Sequence, residues 1–153
     1  MAIEWKNLKT PNGYLKIAEI ILAYIIMILA STGGWGYYID ELLQFGGPSS
    51  TLFALGTIFS FCFILPGIMI SYVLGSTFTV LEEYFTGLGA IFSMIVGAIT
   101  LNRFSYIFGR SHDFGIAVGC LSILLSLILL ADFLIGVKKA NISLLQSQNE
   151  DES

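Results

Sequence analysis

The feature that most constrains this chain is a series of four long apolar runs joined by short polar connections. The runs cover approximately residues 17–38, 51–74, 84–101 and 114–137, and the second run contains no charged residue. Each is close to the roughly 20 residues that an α-helix needs to cross about 30 Å of hydrocarbon. A soluble domain of this length leaves roughly 30% of its unfolded surface in water, which is too much for runs this apolar. The sequence therefore predicts an integral membrane protein.

Composition supports the same prediction. Hydrophobic residues make up 56% of the 153-residue chain and charged residues 12%, against about 25% charged in an average soluble domain. Lipid offers backbone N–H and C=O groups no partner, so each run should be a helix. A membrane β-barrel would need alternating segments of about ten residues, and none is found. Because short connections favour antiparallel neighbours, the predicted fold is all-α, an integral membrane four-helix up-down bundle.

The distribution of lysine and arginine predicts the orientation. With four spans, both tails and the middle connection lie on one side of the membrane. That side carries five lysines, and the opposite side carries Arg103 and Arg110, which places both termini in the cytoplasm. The five lysines are Lys6, Lys9, Lys16, Lys138 and Lys139.

This orientation divides the chain into three parts. Residues 1–15 form a cytoplasmic tail, residues 16–137 the membrane domain, and residues 138–153 a cytoplasmic acidic tail. The last residues of that tail, 146–153, are expected to be disordered.

Asp132, late in the fourth span, is the candidate site residue that most needs an explanation. An ionised acid at the bilayer centre costs about 2.5–3.5 kcal/mol on insertion scales, so it should face other helices. Lys16 and Glu19 of the first span lie at a similar predicted depth and share one helix face. These three residues are predicted to form an intramembrane polar clasp. The alternative is an ion or proton site built on the same carboxyl groups.

Small residues predict where helices approach closely. Gly115 and Gly119 form a G-x-x-x-G pattern in the fourth span, and Gly89 and Gly97 mark a similar face of the third. Such patterns let helix backbones come close together. Packing within the bundle and self-association are both compatible with them.

A proline and several aromatic residues carry further structural predictions. Pro66 and Gly67 lie in the middle of the second span, where loss of a backbone hydrogen bond should kink the helix. Aromatic rings near the predicted membrane interfaces should anchor the spans. They are Trp35, Tyr37, Tyr38, Tyr84 and Tyr106.

Motifs of catalysis and cofactor binding are missing from the sequence. It contains no H-x-x-x-H, C-x-x-C or G-x-S-x-G pattern, and Glu82 and Glu83 are adjacent, so they do not face each other on a helix. His112 is expected in a solvated loop. Cys62 and Cys120 lie in apolar runs and are expected to be buried as small hydrophobic residues. The sequence predicts no enzyme, no metal site and no cofactor.

The start and end of the apolar region resemble a known family. The first span follows a basic tail and Thr10-Pro11-Asn12-Gly13, and Asp132 stands late in the fourth span. With four spans and short loops, these features resemble the MARVEL-type four-span membrane proteins over residues of about 10–137. The layout is also similar to that of small septate-junction proteins of arthropods. The resemblance implies a non-enzymatic role and two cytosolic tails.

The expected function is to organise a membrane or a cell junction, such as a septate junction, through lateral helix packing. The expected partners are the lipid bilayer and other transmembrane proteins or a second copy of the chain, and no nucleic acid. The expected location is the plasma membrane or a cell junction. Two alternatives remain. One is a small ion or proton transporter or channel subunit that uses Asp132 and Glu19, and the other is a four-span protein of vesicle trafficking.

Overall fold

The computed structural model describes residues 10–32, 47–73, 79–106 and 110–151. Within these ranges the chain is all-α and has no strand, which confirms the all-α part of the predicted fold class. The four helices are α1 (Pro11–Thr32), α2 (Pro48–Val73), α3 (Thr79–Phe104) and α4 (Arg110–Asp151).

All four helices are long and apolar enough to cross a membrane. The segments that meet this condition are Asn12–Thr32, Pro48–Val73, Val80–Phe104 and His112–Lys138. The shortest has 21 residues, or about 31 Å at 1.5 Å per residue, which matches the hydrocarbon thickness of a bilayer. Multi-pass membrane topology is the arrangement that these lengths indicate.

The helices extend beyond several of the predicted spans. The sequence predicts a third span from residue 84, but α3 begins at Thr79, because polar residues such as Glu82 are compatible with a helix even though they lower its hydropathy. At the other end of the chain, α4 continues to Asp151. The expectation of disorder from residue 146 is therefore wrong for the residues up to Asp151.

Local capping fixes the starts of α1 and α2. The Gly13 amide donates to Thr10 Oγ1 at 3.2 Å, so Thr10 acts as the N-cap and Pro11 occupies the first helical position, where its missing N–H costs nothing. At α2 the Gly47 amide donates to Ser50 Oγ at 3.0 Å. A side chain in the first turn of α2 thus accepts a hydrogen bond from the backbone N–H of the residue before Pro48.

The most extensive helix contact joins α3 to α4, and α1 packs against both α2 and α4. The contact between α2 and α3 is the smallest of the four. Buried apolar side chains from all four helices form one core. They include Ile26 of α1, Phe61 and Leu65 of α2, Val96 of α3 and Leu129 of α4.

Glycine residues line the α3–α4 contact. A Cβ atom on Gly97 would lie 2.6 Å from Ile123 Cγ1 and 3.0 Å from the Gly119 carbonyl oxygen. Gly115 packs directly against the Phe104 ring, and Gly89 faces both Phe61 of α2 and Leu129. The predicted small-residue faces therefore lie between helices of one chain, where only hydrogen atoms fit.

The end of α3 is tied to the start of α4. His112 Nδ1 lies 2.7 Å from the Phe104 carbonyl oxygen, which is one of the terminal carbonyls that a helix leaves without an internal partner. The expected solvated position of His112 is therefore wrong, since it lies half-buried in the first turn of α4. Of the two cysteines, Cys62 is buried as expected, whereas Cys120 is exposed on the outside of α4.

Candidate functional site

Lys16 of α1 joins two carboxylates from two other helices. Its Nζ donates a hydrogen bond to Asp132 Oδ2 of α4 at 3.0 Å and forms an ion pair with Glu82 Oε1 of α3. Lys16 and Asp132 are only 5% and 6% exposed. We refer to Lys16, Glu19, Glu82 and Asp132 as the polar cluster.

The local sequence explains why these groups point inward. Lys16 and Glu19 stand three residues apart in α1 and continue into Ala23 and Ile26, all of them buried, so they share the inner face of the helix. In α3, Glu82 lies one turn before Thr86, which is also buried. The Thr86 hydroxyl donates to the Glu82 carbonyl oxygen at 2.9 Å.

Helix α2 reaches the polar cluster through Tyr72. The Lys16 Nζ lies 5.8 Å from the centre of the Tyr72 ring, a distance at which a cation is attracted to an aromatic face. The Tyr72 hydroxyl is 2.9 Å from Thr10 Oγ1, the N-cap of α1. All four helices therefore meet around one ammonium group.

Glu19 is the member of the polar cluster whose position is hardest to explain by packing alone. It is 2% exposed, and its Oε1 atom has no hydrogen-bond partner among the residues that the structure describes. The polar cluster holds three carboxyl groups and one ammonium. That ammonium, on Lys16, already forms ion pairs with Glu82 and Asp132. A buried polar atom without a partner is costly, and it is a place where a proton or a water molecule can bind.

Hydroxyl groups continue the polar lining further into the fold. Thr57, Ser93 and Ser122 from α2, α3 and α4 line a small cavity of about 20 Å³, which is enough for one water molecule. Nearby, the Ser126 hydroxyl donates to the Ala90 carbonyl oxygen at 2.6 Å and links α4 to α3.

The structure also places the remaining predicted site residues. Tyr84 and Tyr106 are exposed near the two ends of α3, whereas Trp35, Tyr37 and Tyr38 lie outside the described residues. Helix α2 runs through Pro66 to Val73, and the kink at Pro66 and Gly67 stays a prediction.

Sequence reasoning brought Lys16, Glu19 and Asp132 together but did not include Glu82. A sequence pattern that could have indicated Glu82 is a stripe of polar and small residues on one face of α3. Its members are spaced by four, three and four residues: Glu82, Thr86, Gly89 and Ser93. In the described parts of the chain, no group of three or more His, Cys, Asp or Glu residues is arranged to hold a metal ion. No family model, curated protein or solved structure matches this chain.

Proposed function

We propose that this chain is a non-enzymatic multi-pass membrane protein that organises a membrane or a cell junction through lateral helix packing. In this proposal the four helices cross the bilayer as an up-down bundle with both termini in the cytoplasm. Four helical segments are long and apolar enough to cross a membrane, which supports this proposal. The excess of lysine on the proposed cytoplasmic side supports it as well.

The observation that carries the proposal is the distribution of polar and apolar side chains. The charged groups of Lys16, Glu82 and Asp132 face one another, whereas large apolar side chains such as Leu52, Phe63 and Val80 point outward. In water this outer surface would be unfavourable, but in lipid it needs no cover. A protein of this kind presents its outward faces to lipid and to neighbouring membrane helices.

The resemblance to MARVEL-type proteins and to septate-junction proteins enters the proposal at the level of location. We propose the plasma membrane or a cell junction as the site of action. The competing location is the membrane of intracellular vesicles, where the chain would act as a four-span protein of vesicle trafficking. Imaging the untagged protein in its native tissue separates the two, because a junction protein concentrates at cell contacts and a trafficking protein on internal vesicles.

Site-specific cross-linking tests the organising role. A photo-reactive phenylalanine analogue at Phe63, which is 77% exposed, should capture one or a few defined membrane proteins or a second copy in native membranes. The same analogue at Leu129, which is fully buried, serves as the matched control and should react only within the chain. Recovery of monomer alone from both positions, across detergents and expression levels, would reject the proposal.

A second candidate function, ion or proton transport, is favoured by one observation, the buried Glu19 Oε1 without a hydrogen-bond partner. Flux into liposomes that contain the purified chain tests it, with the variants Glu19→Gln and Asp132→Asn. Ser60→Ala, on the outside of α2, is the control. A flux that both carboxyl variants abolish and the control retains would replace the organising role.

A further inference from the structure

An open groove of about 310 Å³ lies between α2 and α3. On the α2 side its lining includes Ile64, Ile68 and Ser71, with Gly67 between them. A Cβ atom on Gly67 would meet no other atom within 4 Å, so the missing side chain leaves the groove open. From Ile64 to Ser71 the groove follows the helix for about 10 Å.

The α3 side of the groove combines apolar walls with one charged group. Leu81 and Phe85 provide the apolar surface, and Glu82 lies between them in the sequence. The Glu82 side chain keeps 18% of its surface exposed while one of its oxygens contacts Lys16. The groove therefore offers an apolar wall with a partly accessible carboxylate at the polar cluster.

The volume of the groove limits what it can hold. A cavity of about 150 Å³ binds benzene, which has six carbon atoms. A groove of about 310 Å³ then accommodates about twelve carbons, which is most of one acyl chain. A fused-ring sterol is considerably larger than this volume, so the groove would hold only part of one.

The charge of the lining limits the head group. No lysine or arginine is among the described residues that line the groove, and the Lys16 ammonium is buried between Asp132 and Glu82. A phosphate beside Glu82 would bring two negative charges together. A hydroxyl group, in contrast, donates a hydrogen bond to a carboxylate, and such charge-assisted bonds are among the stronger ones.

We propose that the groove between α2 and α3 binds one acyl chain of a diacylglycerol, whose free hydroxyl donates a hydrogen bond to Glu82. The second acyl chain stays in the surrounding bilayer. This inference goes beyond the organising role and shares with it only the placement of the four helices in a membrane.

Photolabelling of the purified full-length chain in liposomes tests the proposal. The probe is a diacylglycerol with a photo-reactive diazirine in one acyl chain, and the comparison lipid is a phosphatidylcholine with the same chain. Diacylglycerol should label peptides that contain 64–71 and 81–85 more strongly than phosphatidylcholine does. Equal labelling by the two lipids, stronger labelling by a matched ceramide probe, or labelling elsewhere would overturn it.

Two glycine variants of α2 provide the matched pair. Gly67→Leu fills the groove and should reduce diacylglycerol labelling to the level of the phosphatidylcholine probe, because the added side chain occupies the space proposed for the acyl chain. Gly56→Leu adds the same side chain to an exposed glycine that also has no atom within 4 Å of an added Cβ, but that does not line the groove. It should label like the natural chain.

The same samples separate failure of the groove from failure of the membrane placement. Carbonate washing of the liposomes should leave all three proteins in the lipid fraction. A chain that is stripped by carbonate contradicts the membrane function itself. A chain that resists carbonate but shows equal labelling of the Gly67→Leu and Gly56→Leu variants contradicts only the lipid site.

Discussion

The α3–α4 contact and the α2–α3 contact use glycine in opposite ways. Between α3 and α4, Gly97 and Gly119 bring two backbones so close that an added Cβ on Gly97 would lie 3.0 Å from the Gly119 carbonyl oxygen. Between α2 and α3, Gly67 meets nothing and borders a groove. The glycines of the first contact allow two helices to pack closely, whereas Gly67 leaves space between two helices.

The difference shows that position on the helix face determines what a small residue does. Without a hydrophobic driving force in lipid, close packing and hydrogen bonds hold helices together, and α3 and α4 have both, through the glycines and the Ser126 bond to Ala90. Beside the groove α2 and α3 are separated, and the contact between these two helices is the smallest of the four. We therefore expect α3 and α4 to form a stable pair and α2 to be the more adjustable neighbour.

The largest effect should come from Lys16, which attaches α1 to the α3–α4 pair. Lys16→Met leaves Glu82 and Asp132 facing each other in a buried site, and loss of one partner of such a pair costs about 3–5 kcal/mol. Unfolding in mixed micelles measures the change. Combining Lys16→Met with Glu19→Gln, Glu82→Gln and Asp132→Asn removes every charge of the polar cluster and should restore most of the stability. No recovery would mean that the charges are not the cause.

Gly97→Leu should be the most damaging single change within the α3–α4 contact. Its side chain collides with Ile123 and with the backbone at Gly119, and overpacking of this kind costs about 3 kcal/mol. Gly56→Leu, on an exposed face with no atom within 4 Å of an added Cβ, should be as stable as the natural chain or slightly more stable, because leucine is the better helix former. Equal behaviour of the two variants in the same micelles would show that α3 and α4 are not closely packed.

Ser126→Ala tests the hydrogen bond across the same contact. It removes a bond of 2.6 Å to the Ala90 carbonyl oxygen and should lower the free energy of unfolding by about 1 kcal/mol. Ser60→Ala, on the outside of α2, is the control and should change little. A Ser126→Ala variant as stable as this control would limit the close contact to the glycines.

The smallest effects give the sharpest version of the comparison, because one substitution should act with opposite signs. Gly67→Ala should stabilise the chain by about 0.5–1 kcal/mol, since alanine is the better helix former and the space is open. Gly119→Ala should destabilise it by about 1 kcal/mol, because the new Cβ would lie 2.7 Å from Leu101 Cγ. Measured melting temperatures that move in the same direction would contradict the assignment of the two faces.

The four helices could be predicted from the sequence because apolar runs of sufficient length have few other folds available. Their ends were less predictable. Hydropathy reports which residues favour lipid, whereas a helix end depends on capping, as at Thr10, or on polar residues that continue the helix, as Glu82 does in α3.

The polar cluster could be predicted only in part. Lys16 and Glu19 are close in sequence, and Asp132 lies at a similar predicted depth in the membrane. These two facts were enough to predict that the three residues lie together. Glu82 pairs with Lys16 of the first span, which is distant in the sequence, and its role depends on the rotation of α3, which the four apolar runs do not specify. The groove was not predictable either, because it depends on how far α2 stands from α3.

The ion pair between Lys16 and Asp132 also has a consequence for biosynthesis. The two residues are 116 positions apart, and at about 5–20 residues per second the ribosome needs on the order of 10 s to make that stretch. During this interval Lys16 of α1 is without Asp132, which accepts its hydrogen bond in the finished fold. A nascent chain that stops before α4 never gains this partner, which gives cellular quality control a chemical mark for incomplete molecules.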